Sequence, residues 1–223
     1  MSTLRVYRIF KSIQGESTYA GLACAFVRLA GCDIGCAWCD TPQAAKDDAG
    51  IEMTLDEIAG AVDALTPTGM GGRRGLVEIT GGEPLRQSAT PALANRLAAH
   101  YLTLVETSGV YDIRPLDHPI VRVMDVKCPG SGVLRRMDWK NLERLRPEDE
   151  IKFVVSDQAD VMFAYDTIWR FGLESRLKPA LLSPVWDRLE PRRLAAWMLD
   201  YPPVARMQIP LHKVIWPEGE PTG

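Results

Sequence analysis

Several features are missing from this sequence of 223 residues, and each absence removes a class of protein. No uninterrupted apolar stretch approaches the roughly 18 residues that a membrane-spanning helix needs. The N-terminal segment lacks the apolar core of a secretory signal peptide. Lysine and arginine form no run, and the net charge of −3 leaves no basic footprint for a nucleic acid. We therefore expect a cytoplasmic protein that binds a small molecule, with neither a membrane nor a nucleic acid as its partner.

The composition and the length narrow the fold class. Hydrophobic residues make up 46% and charged residues 25% of the chain, a balance typical of a globular protein rather than a disordered one. The length falls short of the roughly 250 residues of a complete eightfold βα barrel. Because neither a repeat nor a boundary appears, we expect a single domain over residues 1–223.

The chain alternates between strand-like and helix-like segments after an N-terminal segment at 6–14. Short apolar runs predict buried parallel strands at 25–29, 76–79, 102–106, 121–126, 151–155 and 179–183, with 206–209 a weaker candidate. Helices are predicted after a capping box at Thr54 and Glu57, after an N-cap at Thr90, and over 138–145, 157–171 and 191–199. Loops are predicted at 41–53 and 66–75.

This alternation predicts an α/β fold, with a partial, laterally open βα barrel as the favoured architecture. An open doubly wound sheet is the alternative. In either case we expect the functional site beyond the carboxyl ends of the parallel strands.

The five cysteines give the clearest chemical signal, because three of them fall within eight residues. An odd number argues against a disulfide framework. Cys32, Cys36 and Cys39 follow a predicted strand and can converge on one metal centre. A structural zinc would need a fourth ligand at a matching spacing, and a cubane iron–sulfur cluster normally takes four cysteines. Three cysteines would leave one iron open, although a zinc knuckle or three unrelated thiols remain alternatives.

Two motifs resemble those of the radical S-adenosylmethionine (SAM) superfamily. The first is Cys-x3-Cys-x-aromatic-Cys, with Trp38 at the aromatic position. The second is Gly-Gly-Glu-Pro at 81–84, where glycines allow the backbone to approach a ligand closely, although they also suit an ordinary tight turn. The resemblance implies a 4Fe–4S cluster on Cys32, Cys36 and Cys39, with the amino and carboxylate groups of SAM on the fourth iron.

Further segments resemble one family, the 7-carboxy-7-deazaguanine synthases. They lie at 13–16, 26–28, 39–41, 79–84, 106–109 and 207–213, and so span nearly the whole chain. The resemblance implies a radical ring contraction of 6-carboxy-5,6,7,8-tetrahydropterin to 7-carboxy-7-deazaguanine, with loss of ammonia, in queuosine-type biosynthesis. It also implies Mg²⁺ as a cofactor, an electron donor such as flavodoxin, and a homodimer.

The same resemblance assigns residues to each ligand. For SAM they are Trp38, Cys39, Asp40, Gly82, Glu106, Ser108, Asp125, Val126, Lys127 and Ser183. For the substrate they are Ile13, Gln14, Gly15, Glu16, Arg28, Thr80 and His212. The hydroxyl of Thr41 is assigned to Mg²⁺.

The side chains of three of these residues have the chemical groups that the substrate would require. Arg28 alternates with Phe26, so both should project from the same face of a buried strand. The guanidinium then needs an anion, either the substrate carboxylate or an acidic side chain in the core. Gln14 and Glu16 flank a glycine, and a carboxamide with a carboxylate can match the donors and acceptors of a pterin.

Other residues are expected to be structural, and two other functions remain open. Cys24 and Cys128 should be buried thiols without a chemical role. The Met and Trp side chains at 162, 169, 197 and 198 should pack helices against the sheet. A glycyl-radical activase would share the cysteine loop and Gly-Gly-Glu-Pro without needing the family segments. A non-catalytic zinc or iron–sulfur module would use the cysteines alone.

Overall fold

The structure, a computed structural model, describes residues 2–66 and 74–216. Most of the loop predicted at 66–75 and the tail from Pro217 onwards therefore lie outside the described residues. The described chain forms a nine-stranded sheet. Its strands are β1 Thr3–Ile13, β2 Ala23–Leu29, β3 Ile51–Thr54, β4 Arg74–Gly81, β5 Tyr101–Thr107, β6 Val121–Asp125, β7 Glu150–Val155, β8 Ala180–Pro184 and β9 Ala205–Met207.

Helices follow most of the parallel strands. They are α1 Leu55–Leu65, α2 Thr90–Ala98, α3 Lys140–Arg144, α4 Gln158–Arg170, α5 Pro191–Met198 and α6 Leu211–Ile215. The predicted capping box is confirmed, because the Thr54 hydroxyl accepts from the Glu57 amide while the Glu57 carboxylate accepts from the Thr54 amide. The predicted N-cap at Thr90 is wrong by one residue. Ala89 is the cap, and the Thr90 hydroxyl donates to the Pro84 carbonyl at 2.6 Å.

The strand order decides between the two expected architectures. The order is β3-β1-β2-β4-β5-β6-β7-β8-β9, and every neighbouring pair from β2 to β9 is parallel. A doubly wound sheet reverses its strand order at a switch point, and no reversal occurs between β2 and β9. The partial, open barrel is therefore confirmed, with β3 and β9 at its edges.

Two strands differ from the sequence expectation. β1 covers the N-terminal segment that had no assigned structure, and β3 begins within the loop predicted at 41–53 and ends one residue after it. Both are antiparallel to their neighbours, β1 pairing with β2 on one side and β3 on the other. We expected parallel strands joined by helices. β1 instead reaches β2 through a short connection, which is possible because the two strands are antiparallel.

The sheet has two chemically different faces because successive side chains along a strand alternate between them. On the outer face, α1 and α2 pack against β2 and β4, while α4 and α5 pack against β7 and β8. On the inner face an apolar floor is formed by Phe10, Cys24, Phe26, Leu76, Leu104, Val121 and Val123. Cys24 and Cys128 are both buried, as expected. Met162 and Trp169 are 52% and 43% exposed, so the expectation that they lie in the core was wrong.

No helix among residues 2–66 and 74–216 has both the length and the apolar character to cross a membrane.

A buried ion pair holds the amino ends of two central strands, away from the cysteine loop. The Arg122 Nε donates to Asp149 Oδ2 at 2.8 Å, and the Arg146 backbone amide donates to the same oxygen at 2.8 Å. Burial alone would raise the pKa of Asp149, but hydrogen bonds from Arg122 and Arg146 outweigh it and hold that pKa below its usual value. The Asp149 carboxylate therefore stabilises the fold while it is ionised.

We predict that Asp149→Asn lowers the free energy of unfolding by about 3 kcal/mol at neutral pH, since it leaves the buried Arg122 without a counter-ion. A depressed pKa contributes stability above the unfolded value, so the difference between variant and parent should shrink as the pH falls below about 4. Urea unfolding at several pH values measures this. Asp117→Asn, which alters an 87% exposed partner of Arg146, is the control and should change little. An equal effect of the two substitutions would contradict the assignment.

Candidate active site

The inner face becomes polar towards the carboxyl ends of the strands. Side chains from six strands that neighbour one another in the sheet line one cavity there, namely Arg28, Glu78, Thr80, Glu106, Asp125, Lys152 and Ser183. The cavity has a volume of about 630 Å³, within the range of small-molecule sites. Its floor includes Phe10, Phe26 and Val123 of the apolar set.

The cysteine loop follows β2 and lies at the mouth of this cavity. Cys32 and Cys36 are half-buried, Cys39 is exposed, and all three line the cavity. Two backbone hydrogen bonds hold the loop, from the Cys32 amide to the Ala45 carbonyl at 2.9 Å and from the Ala37 amide to the Ser131 carbonyl at 3.0 Å. Among the described residues, no group of three His, Cys, Asp or Glu side chains is placed to hold a single metal ion.

Gly82 explains how the loop after β4 reaches the cysteine loop. A Cβ at position 82 would overlap the Gly31 carbonyl and come within 3.0 Å of the Cys32 Cβ, so only glycine fits this backbone contact. The next residue, Glu83, is 1% exposed and accepts hydrogen bonds from the Thr107 hydroxyl at 2.7 Å and the Ser108 hydroxyl at 2.6 Å. The Glu83 carboxylate thereby ties the end of β4 to the end of β5.

The end of β6 offers an acceptor inside the cavity. Asp125 Oδ2 pairs with the Lys127 Nζ at 2.6 Å, whereas Asp125 Oδ1 is buried and has no hydrogen-bond partner among the described residues. Burial alone would lower the pKa of Lys127, but the charges of Asp125 and Cys36 outweigh it and raise that pKa. A buried oxygen without a donor is costly, so Asp125 Oδ1 fits a site that receives a hydroxyl from a ligand.

Trp38 and the loop after it line the same cavity as Asp125. The Arg188 guanidinium lies 5.7 Å from the centre of the Trp38 ring, and Arg188 also donates to the Ala37 carbonyl at 3.3 Å. The Thr41 hydroxyl is partly buried and donates to Asp40 Oδ1 at 3.3 Å. Trp38, Asp40, Thr41 and Arg188 all line the cavity.

Beside Asp125 on the same face of the sheet, a charged wall of the cavity carries three glutamates around one lysine, since Lys152 of β7 is the partner of Asp125 in the sheet. Lys152, whose side chain is 6% exposed, forms ion pairs with both Glu16 and Glu106. Burial would raise the pKa of Glu106, yet the charge of Lys152 lowers it to about 2. Burial raises the pKa of Glu16 despite the opposing charge of Lys152, and burial together with the charge of Glu106 raises that of Glu78 well above its ordinary value.

Arg28 lies at the end of this wall. It is half-buried and shares the inner face with Phe26, as the alternation predicted. Its guanidinium lies 5.9 Å from the centre of the Phe10 ring and makes neither an ion pair nor a hydrogen bond within the described residues. No acidic side chain in the described part of the chain is therefore bonded to Arg28, although its charge adds to that of Lys152 in lowering the pKa of Glu106.

The C-terminal part of the described chain closes the cavity against the first loop. The Leu211 amide donates to the Gly15 carbonyl at 2.9 Å, and the His212 ring packs so closely on Gly15 that a Cβ at position 15 would overlap it. Burial lowers the pKa of His212, which keeps the imidazole neutral at physiological pH. This contact brings Gln14, Glu16 and His212 to the same end of the cavity.

Every residue assigned to a ligand from the sequence lines this cavity except Val126. Val126 is fully buried in the core between the sheet and α4, so its side chain faces away from the site. The sequence reasoning missed Glu78, Lys152 and Arg188. A signal existed for Glu78 and Lys152, because a charged residue inside an otherwise apolar strand needs a partner on the same face.

Comparisons with known proteins agree with this geometry. A family model described as a 4Fe-4S single cluster domain matches residues 14–144. The chain is 43% identical over 218 residues to the 7-carboxy-7-deazaguanine synthase of Chlorobaculum tepidum, covering 96% of this chain and 94% of that one. It is 38% identical to the enzyme of the same name from Koribacter versatilis, covering 96% and 97%. The crystal structure of QueE from Escherichia coli has the same fold, with a TM-score of 0.72, 22% identity and 93% of each chain covered.

We predict that Gly82→Ala disrupts the site, because the added methyl group must push the Gly31 carbonyl and the cysteine loop away. Iron and sulfide bound after anaerobic reconstitution should fall well below the parent's content. Gly60→Ala in α1 is the matched control, since its methyl group meets nothing within 4 Å and alanine favours a helix by about 1 kcal/mol. Full iron loading of Gly82→Ala would show that the close contact is not required.

Proposed function

Because this chain belongs to the 7-carboxy-7-deazaguanine synthase family, we propose that the cavity described above is where that family's reaction takes place. The protein is a radical SAM enzyme of queuosine-type biosynthesis with a 4Fe–4S cluster and SAM as cofactors. It converts 6-carboxy-5,6,7,8-tetrahydropterin to 7-carboxy-7-deazaguanine with loss of ammonia. What we propose is which residues of this chain bind the cluster, SAM and the substrate.

One observation carries the proposal: the cysteine loop, the orphaned acceptor of Asp125 and the wall of charged side chains all face the same cavity. A binding module that used the cysteines alone would have no need of Arg28, Glu106 and Lys152 on the inner face of the sheet. A glycyl-radical activase acts on a protein partner, and the family assignment does not favour it.

The residues near the cysteine loop fit the cluster and SAM. Cys32, Cys36 and Cys39 would hold the cluster, and the backbone of Gly82 would lie beside the methionine end of SAM. Asp125 Oδ1 would accept a ribose hydroxyl, and the Trp38 ring would contact the adenine. The cluster and SAM, once bound, would supply the radical chemistry of the reaction, directed at C6 of the pterin. Ser108 and Ser183, also assigned to SAM, line the same cavity.

The charged wall fits the pterin. The planar fork of Arg28 suits the substrate carboxylate, since no acidic side chain among the described residues forms an ion pair or a hydrogen bond with it. Glu16 presents carboxylate oxygens that can accept from the amino and ring N–H groups of the aminopyrimidine. Neutral His212 and Thr80 complete the polar contacts. These residues bind and orient the substrate, and none of them need act as the principal acid or base.

Mg²⁺ and the partners stay predictions of the family resemblance. The Thr41 hydroxyl is one weak ligand, so a Mg²⁺ site there would need oxygen atoms from the substrate and water. We also propose an electron donor of the flavodoxin type, a homodimer, a cytoplasmic location and a single domain over the whole chain.

The direct test incubates the anaerobically reconstituted protein with SAM, a reductant and 6-carboxytetrahydropterin, and detects 7-carboxy-7-deazaguanine by mass. Formation of the product is expected. Absence of product from a protein with four irons and four sulfides per chain would falsify the substrate assignment.

Arg28→Ala should lower kcat/KM by about 10- to 100-fold, the cost of a lost charge-assisted hydrogen-bonded pair, while iron content stays at the parent's level. Arg28→Lys keeps the positive charge but lacks the planar guanidinium, so its kcat/KM should lie between those of the parent and Arg28→Ala. Arg170→Ala, at an exposed position on α4, is the control and should match the parent. Loss of iron in Arg28→Ala would instead assign Arg28 a structural role.

A further inference from the structure

Glu78 has no role in the function proposed above, although its carboxyl lies inside the cavity. It lies in the middle of β4, with Phe26 of β2 and Leu104 of β5 as its partners in the sheet. The residue is 5% exposed, and its side chain lines the cavity. No lysine or arginine in the described part of the chain lies within ion-pair distance of Glu78, so its carboxyl needs another explanation.

The observed partner of Glu78 is the side-chain amide of Gln14. Gln14 Nε2 donates to Glu78 Oε2, and Gln14 Oε1 accepts from the Glu16 amide at 3.1 Å. The Gln14 backbone is also held, because its amide donates to the Leu22 carbonyl at 2.7 Å and its carbonyl accepts from the Gly21 amide at 2.8 Å. Gln14 thus sits at the base of the loop 14–22 with both ends of its carboxamide occupied.

We propose that Glu78 is a positioning residue for the substrate: it fixes the Gln14 carboxamide, and through Gln14 it fixes the loop that carries Glu16. The inference rests on the proposed function, because it assigns Glu16 to the pterin end of the cavity. It changes the expectation for Gln14, whose carboxamide holds the loop in place instead of being free to meet the pterin.

The charges around Glu78 determine the form in which it acts. The titratable groups that face it are Glu16 from the loop after β1, Cys24 from β2, Glu106 from β5 and Lys152 from β7. Lys152 already pairs with Glu16 and Glu106, so an ionised Glu78 would add a carboxylate without a cation. Burial and the charge of Glu106 raise the pKa of Glu78 well above its usual value. Glu78 is therefore a neutral acid whose carbonyl oxygen accepts from Gln14.

A neutral acid can be replaced by an amide of the same shape. Glu78→Gln keeps an acceptor for Gln14 Nε2 and adds no charge, whereas Glu78→Leu removes the acceptor and frees the Gln14 carboxamide. The two variants therefore separate the hydrogen bond from the volume of the side chain. Thr103→Val is the control, because Thr103 is equally buried on the adjacent strand and does not line the cavity.

The experiment measures the affinity of the reconstituted, SAM-bound enzyme for 6-carboxytetrahydropterin by anaerobic calorimetry, from neutral to alkaline pH. Glu78→Leu should weaken the affinity by about tenfold or more, and Glu78→Gln by less than about threefold, since one buried hydrogen bond is lost in the first case only. Iron content and thermal unfolding should match the parent in Glu78→Gln and in Thr103→Val.

The pH dependence of the affinity distinguishes this role from a purely structural one, for which the affinity would not follow the ionisation of Glu78. The parent's affinity should fall as the pH rises through the raised pKa of Glu78, because its ionisation adds an unpaired charge. Glu78→Gln should lack that fall.

Three results would overturn the inference. They are parental affinity in Glu78→Leu, an equal loss in Glu78→Gln and Glu78→Leu, and an unchanged alkaline fall in Glu78→Gln. If Glu78→Leu does not fold, the affinity and pH profile of Glu78→Gln decide alone. Failure of the proposed function is distinguishable, since the parent enzyme would then form no deazaguanine.

Discussion

The part of the cavity that we assign to the substrate depends on one buried charge, that of Lys152. Its ammonium group lies between Glu16 and Glu106, which come from a loop and from a strand that are far apart in the chain. Burying two carboxylates would be very costly without a cation, and removing one partner of such a group usually destabilises a protein. The pairing therefore joins the first loop to the sheet and keeps Glu106 ionised, while burial and the charge of Glu106 raise the pKa of Glu78.

The rest of the site follows from the strand order and the alternation of side chains. Because β2 and β4 to β9 are parallel neighbours in chain order, their carboxyl ends meet at one edge of an open sheet. Inner-face residues near the floor are apolar, and those nearer that edge are polar. The deep residues therefore pack the core, while the residues near the edge are available to bind ligands. The contact of Gly82 with Gly31 then brings the cysteine loop to the same edge. Asp125 Oδ1 lies there without a hydrogen-bond partner among the described residues.

Much of this could be predicted from the sequence, for identifiable reasons. Parallel strands buried on both faces are continuous apolar runs, and the cysteine spacing and Gly-Gly-Glu-Pro are local patterns. β1 and β3 could not be assigned in this way, because half-exposed antiparallel strands depend on their partners. The ties of Lys152 to Glu16 and of Glu78 to Gln14 join residues distant in the chain, so spacing cannot reveal them. The exposure of Met162 and Trp169 was missed because helix periodicity does not say which face is covered.

The central claim is that a single cavity brings the cluster, SAM and C6 of the pterin together. The most direct measurement is the mass of the 5′-deoxyadenosine formed when the reconstituted enzyme acts on 6-carboxytetrahydropterin deuterated at C6. Transfer of deuterium from C6 of the pterin into 5′-deoxyadenosine, and into the SAM re-formed from it, is the predicted result. Formation of 5′-deoxyadenosine without deuterium, while the deazaguanine accumulates, would contradict the account.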